Sequence, residues 1–412
     1  MSARAAWLLM LTAAAILMIT MGLRQSMGLF IAPINASTGM GIVSISFALA
    51  IGQFVWGAVQ PIFGAIADQR GPNGVLIFGA VLLAAGTALT PFATAEWALI
   101  VTLGLLSAAG AGAGSFSILI GATSGRLPPE RRAFAAGFIN AGGSFGQFVF
   151  APLAQALIAA FGWMQALWTL AATALLTLPL GRRLSARDTV MPVAVPSATA
   201  APAAPAAPAQ ISLREQLRIA VRDPSYWCLH AGFFTCGVHI AFLVTHLPGE
   251  VGLCGLPASV SATALALIGL FNIAGSLTAG SLGNRYRMKW ILAAMYFSRV
   301  LFIALYLVSP RTPMTFYLFA AALGFSWLAT VPPTAGLVGK LFGTRYLGTL
   351  FGLTLLSHQI GGFFGAWLGG VTISRFGDYS WMWIADMVLA LLAGLISLPV
   401  REAPPAPRLQ PA

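Results

Sequence analysis

Charged residues are scarce in this chain, and acids are the scarcest of them. Asp, Glu, Lys and Arg together make up 8% of the 412 residues, with 10 acids against 22 Lys and Arg. A soluble domain carries roughly 25% charged residues, so a water-facing surface of ordinary size is excluded. No cluster of acids, metal set or nucleophile motif is visible, and this disfavours an enzyme.

Cysteine is also nearly missing. The three cysteines, Cys228, Cys236 and Cys254, lack paired C-x-x-C spacing. The pattern therefore predicts neither a disulfide framework nor a zinc site, and we expect no metal and no cofactor.

Apolar residues are abundant instead, at 58% of the chain, with a mean hydropathy of +0.86. They form twelve runs, each about the 20 residues that a helix needs to cross a bilayer. The runs are Trp7–Ile34, Ile42–Ala67, Gly74–Pro91, Ala98–Leu119, Ala133–Ala160, Trp163–Leu180, Tyr226–Leu247, Ala258–Leu282, Trp290–Val308, Met314–Val338, Leu347–Ile373 and Trp381–Val400. The fold class predicted is an all-α membrane protein with twelve transmembrane helices.

The cations are distributed unevenly between the gaps. All but four of the 22 Lys and Arg lie at the termini or in the gaps after even-numbered runs, the exceptions being Arg24, Arg299, Arg311 and Arg375. Cytoplasmic loops retain Lys and Arg, so both termini are predicted to be cytoplasmic. Topology thus accounts for the net charge of +12, and the expected surroundings are a lipid bilayer with no nucleic acid.

A Pro/Ala-rich tract, Met191–Gln210, divides the chain into six runs and six runs. Such a tract cannot bury a core and is typical of an extended linker. After it, Ser212 and Glu215 have the spacing of a capping box, which predicts a short amphipathic helix on the cytoplasmic surface that stops at Asp223. The predicted parts are a six-helix half (1–181), the linker with its short helix (182–225), a second six-helix half (226–400) and a cytoplasmic tail (401–412).

The two halves repeat each other. Gly137, Gly146, Phe161 and Gly162 recur 215 positions later as Gly352, Gly361, Phe376 and Gly377, and Gly64 and Asp68 recur 216 positions later as Gly280 and Asn284. A constant offset that lands on matching runs indicates a duplication. Parallel six-helix repeats are typical of a transporter whose site lies between pseudo-symmetric halves.

The motifs GAIADQRGPNG (Gly64–Gly74) and GSLGNRYRMK (Gly280–Lys289), with the opening of the fifth run, resemble the major facilitator superfamily. GLRQSMGLFIAPI (Gly22–Ile34) and GLFNIAGSLTAGSLGNRYR (Gly269–Arg287) are similar to its monocarboxylate and oxalate–formate transporter branch. The resemblance implies alternating access, with the first, fourth, seventh and tenth helices around a central cavity.

That branch usually holds the substrate carboxylate with an arginine in the eighth helix. The matching position here is Ser276, and Asn272 lies one turn earlier. An anion site in this chain must therefore be built differently, and Asn272 is a candidate substrate contact.

Arg24 lies about two-thirds along the first run. Ionisable groups are costly inside a bilayer and are usually functional or paired, and a guanidinium matches a carboxylate bidentately. We interpret Arg24 as a substrate contact, with an arginine that reaches the headgroups as the alternative.

Arg299 lies near the middle of the ninth run, and Asp386 is the only acid inside any run. The resemblance places the ninth and twelfth helices as supporting helices of one half. A buried Arg299–Asp386 ion pair is one interpretation, since either charge alone would be uncompensated. Proton coupling through Asp386 is the other.

Histidine and amide side chains supply further candidate substrate contacts. His239 is central in the seventh run, His358 lies in the eleventh, and Asn140 and Gln147 share a face of the fifth. Histidine titrates near neutral pH and can carry a proton with an anion. The alternative for each is a hydrogen bond within a helix contact.

Asp68 and Arg70 fall in the loop after the second run. In the resembled family the acid of this motif holds the halves in one orientation, so the resemblance implies a conformational latch. Because the matching loop has Asn284, the latch is expected to be asymmetric.

Together these features predict a secondary active transporter of the cytoplasmic (inner) membrane that carries a small organic carboxylate, coupled to a proton. It is expected to be a monomer and not an enzyme. The alternative is an exporter of drugs or metabolites with the same fold.

Overall fold

The protein is a bundle of membrane-spanning helices. The computed structural model describes residues 3–124, 126–127, 129–185, 212–283, 285–343 and 346–402, among which no strand occurs. Eleven helical stretches are long and apolar enough to span a membrane. One further helix, Leu347–Phe376, has 30 residues and brings the number of spans to twelve. It is rich in glycine and polar side chains, because it packs between two other spans instead of facing lipid all round.

We number the spans 1 to 12 in chain order. Their bounds are Arg4–Thr38, Ile42–Ala67, Pro72–Phe92, Glu96–Thr123, Phe134–Phe161, Trp163–Leu184, Pro224–Leu253, Ala258–Leu282, Met288–Val308, Pro313–Phe342, Leu347–Phe376 and Ser380–Ser397. The predicted all-α fold with twelve spans is therefore present.

Spans 1, 4 and 10 are interrupted. Span 1 consists of helix Ala3–Gln25, a 3₁₀ turn at Met27–Phe30 and helix Ile31–Thr38. Span 4 runs as Glu96–Leu99, a π-helical stretch at Ile100–Ser107, Ala108–Ala113 and Phe116–Ser124. Span 10 is split into Pro313–Ser326 and Val331–Phe342. Spans 3 and 6 also have short second segments, Thr90–Phe92 and Thr177–Ser185, after helices Pro72–Leu89 and Trp163–Leu175.

The two halves meet where glycines let helices approach closely. A Cβ atom added to Gly28 of span 1 would lie 2.1 Å from the Val244 oxygen of span 7. Added to Gly269 of span 8, it would lie 2.6 Å from the Ser144 oxygen of span 5. Small residues at such contacts are the usual means of packing helices tightly in membranes.

The contacts between the halves do not extend along the whole length of the bundle. We call the end of the bundle that carries Ala3 and Glu402 the terminal end, and the opposite one the distal end. Gly64 and Gly137 lie seven residues from Gly57 and Ser144, and therefore on the same helix faces but nearer the terminal end. Gly57 would touch Gln359 of span 11 with an added Cβ, whereas Gly64 and Gly137 would meet nothing within 4 Å. The halves thus touch from mid-bundle to the distal end and separate toward the terminal end.

A short helix, Leu213–Val221, precedes span 7 at the place where an amphipathic helix was expected. The Ser212 hydroxyl accepts a hydrogen bond from the Glu215 amide, as a capping residue does. Asp223 then caps span 7 by accepting from the Ser225 amide at 2.9 Å. We call Leu213–Val221 the linker helix; linker residues 186–211 and tail residues 403–412 lie outside the described part.

Glu402 joins spans 9 and 10 at the terminal end. Its carboxylate accepts from the amides of Met288 and Lys289 at 3.0 and 2.9 Å, and the Lys340 ammonium lies 2.7 Å away. Burial raises the pKa of the Glu402 carboxyl, but the hydrogen bonds from Lys289, Lys340 and Met288 outweigh it, and the pKa lies below its ordinary value. A carboxylate at a helix N-terminus also complements the helix dipole.

Glu402→Gln is expected to lower the stability of the protein by about 1.5–3 kcal/mol near pH 7, the usual contribution of a hydrogen bond to a charged group. Because the folded pKa is depressed, this stability is present above the ordinary glutamate pKa and is lost as the pH falls through the folded pKa. The difference between wild type and variant should therefore disappear in acid. Thermal inactivation in detergent at pH 7 and at acid pH measures it.

Glu215→Gln is the matched control, because Glu215 pairs with Arg218 at 3.3 Å while both side chains are about half exposed. Exposed pairs contribute little, so this variant should resemble wild type at both pH values. An equal loss for Glu402→Gln at both pH values would contradict the assignment to the ionised carboxylate.

Candidate functional site

Arg24 stands in the last turn of the first helix of span 1, directly before the interruption of that span. One of its terminal nitrogens donates to the Gln53 side-chain oxygen, and its guanidinium carbon lies 4.3 Å from the centre of the Trp56 ring. Gln53 and Trp56 are three residues apart on span 2, so one helix face supplies both contacts. A cation over an indole face is electrostatically favoured.

No carboxylate of the described residues lies within ion-pair distance of Arg24. Its contacts are a neutral amide and an aromatic ring, so none of these contacts neutralises its charge. A half-buried guanidinium in this state retains donors for an anion.

A cavity of about 40 Å³ lies beside Arg24 and is lined by Gln53 of span 2 and Ser107 at the end of the π-helical stretch. A cavity of that size holds water but no organic acid. An anion of the size of a carboxylic acid therefore has to reach Arg24 from the gap between the halves.

Arg299, His239 and Asp386 form a buried network inside the second half. Arg299 donates to the main-chain oxygens of Ser326 and Trp327 at 2.5 and 2.7 Å. These oxygens belong to the interruption of span 10, where helix hydrogen bonding stops. The guanidinium thus satisfies carbonyl groups at a point where the helix supplies no regular hydrogen bonds.

The expected direct Arg299–Asp386 pair is absent from the described residues, and His239 lies between the two. His239 Nε2 is 2.8 Å from the main-chain oxygen of Asp386, and Nδ1 is 3.3 Å from an Arg299 nitrogen. A carbonyl can only accept, so Nε2 carries the proton and Nδ1 accepts from Arg299. His239 therefore points toward the supporting spans, and not into the central gap as expected.

The Asp386 carboxyl is fully buried, and neither oxygen has a hydrogen-bond partner among the described residues. His239 Nε2 lies 3.6 Å from Oδ1, too far for a hydrogen bond. A buried ionised carboxylate without donors is costly, so this geometry favours a carboxyl that holds a proton.

Asn272 connects the two halves with the interruption of span 10. Its amide nitrogen donates to the Ser144 hydroxyl of span 5 at 2.8 Å, and its oxygen accepts from the Leu328 amide at 2.9 Å. Asn272 is buried, and both its amide nitrogen and its oxygen are engaged in these hydrogen bonds. It therefore holds the interface between spans 5, 8 and 10, and sequence reasoning did not reveal this role because the interruption of span 10 was not foreseen.

The remaining candidates are spread around the bundle. Gln147 is buried at the contact with span 8, with an unpartnered nitrogen among the described atoms, and Asn140 is half-buried on the same helix. His358 is buried between spans 7 and 11, its ring centre 5.1 Å from that of Phe233. The site residues thus fall into separate groups around Arg24, Asn272 and Arg299.

Of the two latch residues, Arg70 is exposed at the end of helix Ile42–Arg70, which continues beyond span 2, and it does not lie in a loop as expected. The side chain of Asp68 lies outside the described part, as does Asn284. The latch stays an expectation from the resemblance.

Glu250 is a buried acid that the sequence analysis missed. The prediction that Asp386 is the only acid inside a span is corrected, because the helix of span 7 continues to Leu253 and includes Glu250. The Tyr306 hydroxyl donates to its carboxylate at 2.5 Å. The seventh apolar run ends at Leu247, directly before Pro248, but proline is tolerated within membrane helices when neighbouring groups satisfy the backbone.

Comparison with protein families finds a match to the Major Facilitator Superfamily over residues 8–366 and 254–412. The chain is 30% identical to monocarboxylate transporter 13 of Bos taurus over 414 residues, covering 95% of this chain and 89% of that one. It is 22% identical to the oxalate:formate antiporter of Oxalobacter formigenes over 381 residues, covering 90% and 86% of the two chains.

Two solved structures share the fold. A bacterial homologue of the human lysosomal transporter Spinster, in an inward-facing and unoccupied conformation, matches with a TM-score of 0.70 at 12% identity, covering 97% of this chain and 95% of that one. A D-xylose–proton symporter matches with a TM-score of 0.72 at 14% identity, covering 97% and 98%. At such identities the likeness concerns the fold alone.

Proposed function

The chain belongs to the Major Facilitator Superfamily, and from this premise we propose that it moves a small organic carboxylate across the cytoplasmic membrane together with a proton. The family and the relatives are transporters, so the protein is a transporter and not an enzyme. Relatives named for monocarboxylates and for oxalate and formate support an anionic substrate.

The observation that carries the proposal is the state of Arg24. It is a guanidinium within a membrane span, it has no carboxylate partner among the described residues, and it adjoins the interruption of span 1. A substrate carboxylate supplies the missing anion and accepts a bidentate hydrogen bond. Trp56 packs against the guanidinium, and the Gln53 oxygen accepts a hydrogen bond from one of its nitrogens.

Electrostatics favours a co-transported proton. A monoanion that enters a cell against an inside-negative potential of 100 mV faces ~2.3 kcal/mol. A proton carried with it removes this cost. Exchange of one anion for another also moves no net charge and avoids the same cost. The experiment below distinguishes exchange from proton symport.

Asp386 carries this proton in our proposal, and His239 transmits the change in charge from Asp386 to Arg299. A change at Asp386 alters the electrostatic environment of His239 and hence of Arg299, which holds the span 10 interruption by its carbonyls. On the other side of that interruption, Asn272 binds Leu328 and Ser144. The contacts therefore run continuously from span 12 to the first half.

The halves rock between two orientations in this proposal. With the termini in the cytoplasm, the open terminal end faces the cytoplasm and the closed distal end faces outward. Asp68 and Arg70 are proposed to latch the opposite orientation, in which the terminal end is closed. Each chain contains both halves, so a monomer suffices.

The experiment is uptake of radiolabelled carboxylates into proteoliposomes, with and without an inward proton gradient. Gradient-stimulated uptake of at least one acid supports symport. Uptake that needs a trapped internal anion and ignores the gradient indicates exchange. Failure of every acid contradicts the proposal and directs attention to export of drugs or metabolites.

Gly28→Ala is expected to shift the protein away from the orientation described here. The added methyl group would lie 2.1 Å from the Val244 oxygen, and relieving such a clash costs about 1–3 kcal/mol. That is enough to change the ratio of two orientations by fivefold or more. Spin labels at Ser37→Cys and Leu253→Cys, in a background without the three native cysteines, measure the separation of spans 1 and 7 at the distal end.

Gly74→Ala is the control, because Gly74 is exposed on span 3 and an added Cβ there meets nothing within 4 Å. Its distance distribution should match that of the parent. If Gly28→Ala also gives the parent distribution, closure at the distal end does not depend on this contact.

A further inference from the structure

A groove of about 510 Å³ lies on the outer surface of the second half, between spans 7, 11 and 12. Its walls include Trp227 and Phe234 of span 7, Ile360 of span 11, and Leu389, Leu392 and Ile396 of span 12. Trp227, Ile360 and Leu392 are exposed, so the groove opens away from the bundle. Pockets of this size accommodate small molecules and flexible chains.

The groove accepts hydrocarbon, not a polar ligand. Two of its polar lining side chains bind each other, since His230 Nδ1 and the Ser357 hydroxyl are 2.6 Å apart, and the buried His230 Nε2 has no partner among the described residues. The remaining walls are almost entirely aliphatic and aromatic. Burial of apolar surface is therefore what an occupant would gain.

Arginines stand directly beyond the rim of the groove. The Trp227 indole donates to the main-chain oxygen of Val221 at 2.7 Å, which fixes the end of the linker helix at the groove. Arg218 and Arg222 lie one turn apart at that end and are exposed. Arg222 has no carboxylate partner among the described residues, and the Arg218–Glu215 pair is exposed and weak.

The linker helix is suited to the membrane surface. Ile219 and Val221 expose apolar side chains next to its arginines. A helix with cationic and apolar exposure lies in the interface between headgroups and acyl chains. The arginines thereby stand at headgroup level, and the groove extends from them into the hydrocarbon layer.

We propose that this groove binds one phospholipid with an anionic headgroup, its acyl chain between spans 11 and 12 and its headgroup on Arg218 and Arg222. Cationic side chains near a membrane surface favour anionic lipids. The lipid tethers the linker helix to spans 11 and 12. The inference is independent of the transported substrate.

The test uses the purified full-length protein, delipidated in detergent and then titrated with dioleoyl phosphatidylglycerol or dioleoyl phosphatidylcholine. Native mass spectrometry counts the lipids retained. Wild type should retain one phosphatidylglycerol with about tenfold preference over phosphatidylcholine, which has the same chains. Equal retention of the two lipids would overturn the anionic site.

Two variants test the acyl-chain contact and the headgroup contact of the lipid separately. Ala231→Phe fills the groove from an exposed position of span 7 and should abolish retention of both lipids. The double variant Arg218→Gln, Arg222→Gln should keep the acyl chain in place but remove the preference for phosphatidylglycerol. Wild-type retention by Ala231→Phe, or wild-type preference in the double variant, would contradict the proposal.

Matched controls alter equivalent residues elsewhere. Ala385→Phe adds the same bulk at an exposed position of span 12 outside the groove, and Arg182→Gln with Arg183→Gln removes two exposed arginines from the end of span 6. Both should behave as wild type. Loss of the preference in the second control, and not at the linker helix, would place the headgroup on the other half.

Discussion

Arg24→Ala is expected to abolish carboxylate uptake while membrane insertion stays intact. The variant loses the only charged group among those that meet at Gln53, Trp56 and the adjoining cavity. A hydrogen bond to a charged group contributes about 1.5–3 kcal/mol, which corresponds to roughly a 10- to 150-fold loss of affinity. Initial uptake rates across substrate concentrations measure this, with size-exclusion chromatography as the check on folding.

Arg24→Lys refines the same experiment. Lysine keeps the charge but lacks the planar pair of donors, so uptake should fall less than in the alanine variant and its apparent affinity should weaken. Arg375→Ala is the matched control, because Arg375 is exposed at the distal end of span 11. Normal uptake by Arg24→Ala would refute the carboxylate contact and leave Arg24 as an arginine that reaches the headgroups.

Asp386→Asn is expected to remove the response to a proton gradient. Asparagine has nearly the same volume but cannot take up or release a proton. The stimulation of uptake by an inward gradient should fall at least tenfold, while exchange of labelled for unlabelled substrate continues, because exchange needs no net proton movement. Both activities are measured in the same proteoliposomes.

Asp378→Asn is the control, since Asp378 is exposed and caps span 12 at the distal end. A variant at Asp386 that keeps its full response to the gradient would exclude Asp386 as the proton carrier. Loss of thermal stability without any change in the response would instead assign Asp386 to the support of His239 and Arg299.

The helical spans could be predicted almost entirely from the sequence, because hydrophobic length reports directly on membrane crossing. Twelve spans and the Ser212-capped linker helix appear where expected. The interruptions could not be foreseen in this way. Mean hydropathy measures apolarity and not hydrogen bonding, so spans 1, 4 and 10 appeared continuous. Pro332 and Pro333, directly after the interruption of span 10, were the available signal.

The sequence identified the residue types of the site, but not the directions in which their side chains point. His239 was assigned to the cavity from the position of its span, yet its ring turns toward Arg299 and Asp386. The rotation of a helix with apolar residues on nearly every face cannot be derived from one sequence. Arg24 is different, because the cost of an unpaired cation inside a span already identified it as functional or paired.

The interruptions of spans 4 and 10 occupy equivalent places in the two repeats, since Gly114 and Ser115 lie 215 positions before Ala329 and Thr330. Among the described residues, the neutral hydroxyl of Thr20 donates to the Gly114 oxygen of the first, whereas Arg299 holds the second with charge-assisted bonds. The interruption in the first half is therefore held by a weaker hydrogen bond than its counterpart in the second half. The two halves are mechanically unequal, and the softer first half is expected to flex first when the transporter changes orientation.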